Sequence, residues 1–277
     1  MVEQISTGRL EPMNIPRLVA LDMDGTLLTP EGVIPESFWP TLDAAHAAGM
    51  TVAPASGRQL ATLRGMFARN APDTFIAENG AVVEHKGTIV ATSTIPEETV
   101  RSITEALERT PFIVHPVLCA PEASYTRAST PAEVQREVDK YYLANTQVRS
   151  LFDAPLHEIV KIALFVDGGA ERLGLPWVHK LAPELHALVS SAHWLDIMPP
   201  AASKGNALLA LADTLGIAHA ETAAIGDYLN DSAMLEAAGY AVAMGNAHPA
   251  LKQVADEVIG TNGEYAAVEK LAQWAVR

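Results

Sequence analysis

Two aspartates one residue apart, Asp22 and Asp24, lie in the stretch Leu18-Val19-Ala20-Leu21-Asp22-Met23-Asp24-Gly25-Thr26-Leu27-Leu28, where an uncharged apolar run meets a glycine turn. Paired carboxylates at such a point suit nucleophilic attack, proton transfer or cation binding. They repel each other, so a cation or a shared proton must hold them together, and the pair asks for magnesium. Phosphoryl transfer further needs donors for the transferring oxygens. Ser56-Gly57-Arg58 offers a hydroxyl and a backbone amide, and Lys204 in Ser203-Lys204-Gly205-Asn206 offers an ammonium. Gly226-Asp227-Tyr228-Leu229-Asn230-Asp231 adds two more acids. In this reading Asp22 is the candidate nucleophile and Asp24 the candidate general acid.

Each motif alone has an ordinary explanation. Ser56 could cap a helix, Lys204 could be a solvated lysine, and Asp227 and Asp231 could be turn residues. Their shared position carries the weight, because all four follow predicted strands or open predicted helices, and ligands of open α/β sheets sit at the carboxyl ends of strands.

The elements that must position them alternate. Strands are predicted at Leu18–Leu21, Thr51–Ala55 and Phe75–Ala77, with helices at Pro35–Ala48 and Arg58–Arg69. The last third repeats the pattern, with helices Ser203–Leu215 and Asp231–Ala238 and strands Ala223–Ile225 and Tyr240–Met244. This is an α/β class chain with a doubly wound parallel sheet. Between the halves the texture changes to α+β: strands Phe112–Leu118, Ile159–Val166 and His193–Met198 among helices Glu97–Arg109, Pro131–Ala144 and Trp177–Val189. The expected organisation is a first core segment over residues 1–86, with 1–16 a loose extension, a cap over 87–196, and a second core segment over 197–277. The cap is expected to close over the strand ends as a lid.

Composition narrows the function. At 277 residues, 49% apolar and 19% charged, the chain has no apolar run long enough to span a bilayer. A formal charge of −14 disfavours nucleic acid and anionic lipid as partners, while still allowing a small phosphate ester focused in one cleft. The first residues lack the basic start and apolar stretch of a secretory signal, and the lone Cys119 cannot form an internal disulfide, so a cytoplasmic location is expected and Cys119 reads as packing. The nine histidines have no metal-ligand spacing, so no zinc site is expected, and His115, His157 and His193 read as cap packing or surface. Tyr141-Tyr142 and Trp177 read as core or lid surface, and Arg127, Arg149 and Arg172 as solvated groups.

Taken together, the four motifs resemble those of the haloacid dehalogenase (HAD) superfamily of phosphatases, in its Cof-type subgroup with a large α+β cap. The similarity covers about residues 15–277, and Glu78-Asn79-Gly80-Ala81 matches a further subgroup signature. The resemblance implies an aspartyl phosphate on Asp22, acid/base work by Asp24, and Mg2+ held by Asp22, the Asp24 carbonyl and Asp227, with Asp231 in support. It also implies phosphate contacts from the Met23 amide, Ser56, Gly57, Lys204 and Asn230. Two departures are Ser56, where threonine is common, and Tyr228-Leu229, where small or polar residues are usual. An acid at Asp24 argues against a true dehalogenase, whose halide leaves without a proton. A phosphonate-cleaving relative would need a Schiff-base lysine in the cap, and Lys140, Lys161 and Lys180 all read as surface residues.

The leading expectation is a magnesium-dependent phosphatase for small soluble phosphate monoesters, sugar phosphates or phosphorylated cofactors. The alternative is a phosphomutase or phosphotransferase of the same superfamily. A phospho-switch like a receiver domain is disfavoured by the cap and by Asp24. Oligomeric state is not legible in the sequence.

Overall fold

The structure, a computed structural model, describes residues 15–67 and 70–276. Nearly all of the expected loose extension, and the end of the helix predicted to run to Arg69, lie outside the described residues. Strands β1 (Leu18–Asp22), β2 (Thr51–Ala55) and β3 (Thr74–Ala77) alternate with helices α1 (Phe38–Ala47) and α2 (Leu60–Met66), and the hairpin β4 (Val82–His85) and β5 (Thr88–Thr92) follows. Next come α3 (Glu97–Leu107), β6 (Val114–Cys119), β7 (Ser124–Arg127), α4 (Ala132–Tyr141), β8 (Asn145–Val148), β9 (Lys161–Val166), α5 (Leu175–Leu181), β10 (His186–Val189) and β11 (Trp194–Met198). The chain ends with α6 (Lys204–Leu215), β12 (Thr222–Gly226), α7 (Ser232–Ala237), β13 (Tyr240–Ala243), α8 (Pro249–Val254), β14 (Glu257–Val258) and α9 (Ala266–Ala275).

Two sheets result. The larger has the order β14-β13-β12-β1-β2-β3-β4-β5. It is parallel from β14 to β3 and antiparallel at β3–β4 and β4–β5. β1 lies at its centre with all five residues buried, which is why its sequence is an unbroken apolar run up to Asp22. The smaller sheet, order β10-β11-β9-β6-β7-β8, is antiparallel except between β7 and β8. Alternation divides its faces. Ile162, Leu164, Val166, Leu195 and Ile197 pack under α3 and α5, whereas Ala163, Trp194 and Met198 join the core of the larger sheet.

Three expectations change. The helix predicted over Trp177–Val189 stops at Leu181, and His186–Val189 instead pairs antiparallel with β11. Pro183 explains the break: it excludes the α conformation from the preceding residue, and Ala182 has φ −139° and ψ 67°. The hairpin β4–β5 was not anticipated, although its two-residue loop Lys86-Gly87, both at positive φ, has the chemistry of a tight hairpin turn. Because β5 is the edge strand of the larger sheet, we propose that the first core segment runs to about Thr92 rather than to 86.

Close packing of α6 against α7 brings Lys204 to the strand ends. Gly205, the next residue, permits it, since a Cβ there would stand 2.1 Å from the Ala233 carbonyl oxygen. Gly205→Ala is therefore expected to force these helices apart and to lower unfolding free energy in urea by about 1–3 kcal/mol. A loss below a few tenths would mean that the contact relaxes freely.

Candidate active site

The carboxyl ends of β1, β2 and β12 carry the acids and the phosphate-loop motif, and the N-terminus of α6 brings the lysine to them. Asp22 closes β1 and is buried. Its Oδ1 accepts a hydrogen bond from Lys204 Nζ at 2.5 Å. The same ammonium donates to Asp231 Oδ1 at 2.7 Å. Ser203 fixes the approach of Lys204 by capping α6 through the Asn206 N–H at 3.0 Å. Asp231 Oδ2 accepts the backbone N–H groups of Asp227, 3.0 Å, and Tyr228, 3.3 Å. Both Asp231 oxygens are thus occupied inside the protein.

Asp22, Asp227 and Asp231 present carboxylate oxygens within 4.8 Å of one another. Room for them is made by two glycines: a Cβ on Gly25 would lie 2.2 Å from Asp227 Oδ2, and one on Gly226 would lie 2.6 Å from Asp231 Oδ2. Asn246, which no motif marked, donates to the Gly25 carbonyl at 2.8 Å and to Asp227 Oδ2 at 3.4 Å.

One ammonium cannot neutralise three carboxylates. Burial pushes Asp22 up, Lys204 pulls it back, and Asp231 and Asp227 push it further, leaving it at about 7. Burial and then Asp231 push Asp227 up to about 6. Burial opposes the charge on Lys204, but Asp22 and Asp231 more than offset it and keep the ammonium protonated. Asp22 Oδ2 is buried, and none of the described residues hydrogen-bonds it. An unpaired carboxylate oxygen beside a second, half-buried acid is an all-oxygen donor set of the kind magnesium selects, so the residues fit the cation. The Asp24 carboxylate is not in this cluster. It lies at the cleft mouth, paired in a fork with the Arg58 guanidinium, whose Nη2 donates to Oδ1 at 3.0 Å.

Facing this edge is a cavity of about 900 Å3, within the range of small-molecule sites. Asp24, Ser56, Arg58, Lys204 and Asn230 line it from the core, and Tyr141, Lys161, Trp194 and Asp196 from the cap. The cap is docked by polar contacts: Gln59 exchanges hydrogen bonds with the Ala144 carbonyl, 2.9 Å, and amide, 3.0 Å, and Thr62 does so with Tyr141 and Leu143.

Lys161 corrects the sequence reading. It is buried, not a surface residue, and it forms a buried ion pair with Glu78 and donates to the Gly57 carbonyl at 3.3 Å. Tyr142 covers it, ring centroid 5.3 Å from Nζ. Burial opposes its charge, but Asp196 and Glu78 raise it well above the ordinary lysine value, so the amine is held protonated and cannot serve as a Schiff-base nucleophile. Cys119 is buried nearby, its thiol pushed up by burial, and it is inert packing as expected. Arg127 pairs with Glu108, and Arg172 donates to the Gly168 carbonyl. No helix among the described residues is long and apolar enough to cross a membrane.

A doubly wound sheet that gathers acids and a lysine at its strand ends under an α+β cap defines a class of phosphoryl-group hydrolases. Residues 19–271 match the family model of haloacid dehalogenase-like hydrolases, and the chain belongs to that family, as a Cof-type hydrolase of phosphate monoesters. It is 30% identical over 263 residues to HMP-PP phosphatase of Cronobacter sakazakii, covering 93% of this chain and 95% of that protein. It is 33% identical over 279 residues to phosphatase YwpJ of Bacillus subtilis, covering 90% and 96%. A solved phosphatase of the same superfamily from Bacteroides thetaiotaomicron is 27% identical, with a TM-score of 0.76 over 98% of this chain and 100% of that one.

Two outcomes test the electrostatics. A carboxyl raised from 3.8 to about 7 by folding stabilises the fold fully below its unfolded value, and that contribution is lost as pH rises through 7. In EDTA the Tm is therefore expected to fall between about pH 5 and about pH 8, and the Tm gain from added Mg2+ to grow over the same range, because protons compete for the same oxygens. A gain that shrinks with rising pH would contradict this. Separately, Lys161→Met strands Glu78 and is expected to lose about 3–5 kcal/mol in urea unfolding, with part recovered in the double variant Lys161→Met/Glu78→Gln. A double variant no more stable than the single one would overturn the pairing.

Proposed function

We propose that the enzyme is a magnesium-dependent phosphatase of small soluble phosphate monoesters, sugar phosphates or phosphorylated cofactors, acting through an aspartyl phosphate on Asp22. The observation that carries this reading is Lys204, bonded to both Asp22 and Asp231, with Asp22 Oδ2 left unpaired. Lys204 holds the Asp22 carboxylate in one orientation, so that one of its oxygens can attack the phosphorus while the other remains for the cation. Attack by the Asp22 carboxylate forms the Asp22–phosphoryl bond while the bond to the ester oxygen breaks, and Asp24 protonates that leaving oxygen. Asp24 then takes a proton from water, whose oxygen attacks the phosphoryl group, releasing inorganic phosphate and restoring Asp22.

Ser56, the Gly57 and Met23 amides, Lys204 and Asn230 are the proposed donors to the phosphoryl oxygens. Bound by Asp22, Asp227 and the Asp24 carbonyl, with Asp231 behind them, Mg2+ would neutralise the charge of the transferring group. In the resting arrangement the Arg58 guanidinium forks onto Asp24, so Asp24 can turn to the ester oxygen only after that pair opens. An arriving phosphate competes for the same guanidinium, which couples binding to release of the acid. The docked cap admits a small ester and excludes a folded phosphoprotein.

Asp22→Asn is expected to reduce p-nitrophenyl phosphate hydrolysis by at least about a thousandfold in a protein that still unfolds cooperatively. Asp24→Asn should reduce turnover of alkyl phosphates by about 10²–10⁴-fold, and of the aryl phosphate less, because nitrophenolate leaves without a proton. Hydrolysis retained in Asp22→Asn would refute the assignment.

A further inference from the structure

On the cap wall of the cavity lies a carboxylate without a partner. Asp196 is 7% exposed, and none of the described residues donates a hydrogen bond to it or pairs with it; Lys161 acts on it only through space. It belongs to the inward row of β11, where Trp194, Asp196 and Met198 line the cavity while Leu195 and Ile197 are buried in the cap. Its cross-strand neighbours are Ala163 and Leu188, which offer no polar atoms beyond their backbones. A buried carboxylate in such surroundings is unfavourable unless a donor reaches it. The nearby ammonium of Lys161 is already committed to Glu78 and the Gly57 carbonyl, so this floor carries two carboxylates against one cation.

We propose that Asp196 is the specificity-determining residue of the leaving-group subsite, accepting a hydrogen bond from a hydroxyl or ammonium group of the substrate and repelling substrates with a second anionic group. This rests on the phosphatase reading of the cavity. A tail bearing a donor supplies the contact that Asp196 lacks in the protein. A carboxylate or a second phosphate would meet the negative charge of Asp196, which no direct ion pair offsets, and a bisphosphorylated activator, which a mutase needs, would be disfavoured for the same reason.

The test uses esters of one three-carbon skeleton, glycerol 3-phosphate and 3-phosphoglycerate, the second carrying a carboxylate in place of the terminal hydroxymethyl group. In the wild-type enzyme with Mg2+, kcat/KM for glycerol phosphate is expected to exceed that for phosphoglycerate by at least about tenfold, the scale of one charge-assisted hydrogen bond. Asp196→Asn, and Asp196→Ser as a second variant should the first fold poorly, should bring that ratio toward one by raising phosphoglycerate relative to glycerol phosphate. A structural role would lower both esters together and leave the ratio fixed. The same ratio in Kd, read by titration calorimetry of the two esters, needs no turnover, so an Asp22→Asn protein that still hydrolysed esters would remove the mechanism without deciding this assignment. A ratio equal in wild type and both variants, a wild-type preference for phosphoglycerate, or binding of neither ester would overturn it.

Discussion

One buried ammonium set between two carboxylates organises this molecule. Lys204 bonds Asp22 on β1 and Asp231 beside α7, and so ties the sheet centre to two later elements. The surplus of negative charge it leaves unmatched, on Asp22 Oδ2 and on Asp227, is unstable in isolation and creates the demand for a cation. Much nearby sequence serves that convergence. Gly25 and Gly226 exist where a Cβ would collide with a carboxylate, Gly205 where one would collide with α7, and Asn246 holds Gly25 and Asp227 from outside the cluster. A positive φ at Gly25, 80°, open to glycine without strain, is what lets the chain leave β1 and pass close to Asp227.

The same logic appears, with the opposite outcome, across the seam between core and cap. Glu78 has φ 51° and Asn79 φ 55°, left-handed conformations uncommon for such residues, which persist only when the surroundings over-determine them. Here the surroundings include Lys161 from the cap and Gly80, where a Cβ would stand 2.1 Å from the Ser203 carbonyl oxygen. The turn after β3 is therefore pinned from one side by the cap and from the other by the residue that precedes Lys204. Unlike the cluster around Lys204, the Lys161–Glu78 pair matches one cation with one carboxylate in direct contact, and the negative charge left over beside it is that of Asp196.

How much of this was legible in the sequence follows from how local each signal is. Asp22, Asp24, Ser56, Lys204, Asp227 and Asp231 were legible as candidates because strand end, turn and helix start are encoded within a few residues of each. Arg58 was read only as part of its motif; that its guanidinium holds Asp24, 34 positions away, depends on how β1 and β2 lie side by side. Lys161 was misread because burial of a charge is rare unless it is paired, and its partner Glu78 is 83 positions earlier in the chain, in the turn after β3 of the larger sheet. Asp196 left a fainter trace: a lone acid among the alternating apolar residues of Trp194-Leu195-Asp196-Ile197-Met198 must face either water or a site. The strand His186–Val189 was lost to an apolar run that periodicity assigned to a helix, when Pro183 should have ended it.

Four consecutive residues after β2 show how the parts are joined. Ser56 is buried at the cavity edge with its hydroxyl accepting the Arg58 amide, Gly57 offers its carbonyl to Lys161 of the cap, Arg58 holds Asp24, and Gln59 is bonded to the backbone of Ala144 in the cap. A loop this short cannot move one of these groups without moving the others, because its backbone is fixed at both ends by β2 and α2. Separation of the cap would release Gly57 and Gln59 together, and with them the orientation of the Arg58 fork. Cap docking and the Arg58 fork on Asp24 are therefore joined through one short backbone segment, and the docked cap goes with the paired, resting arrangement of Asp24.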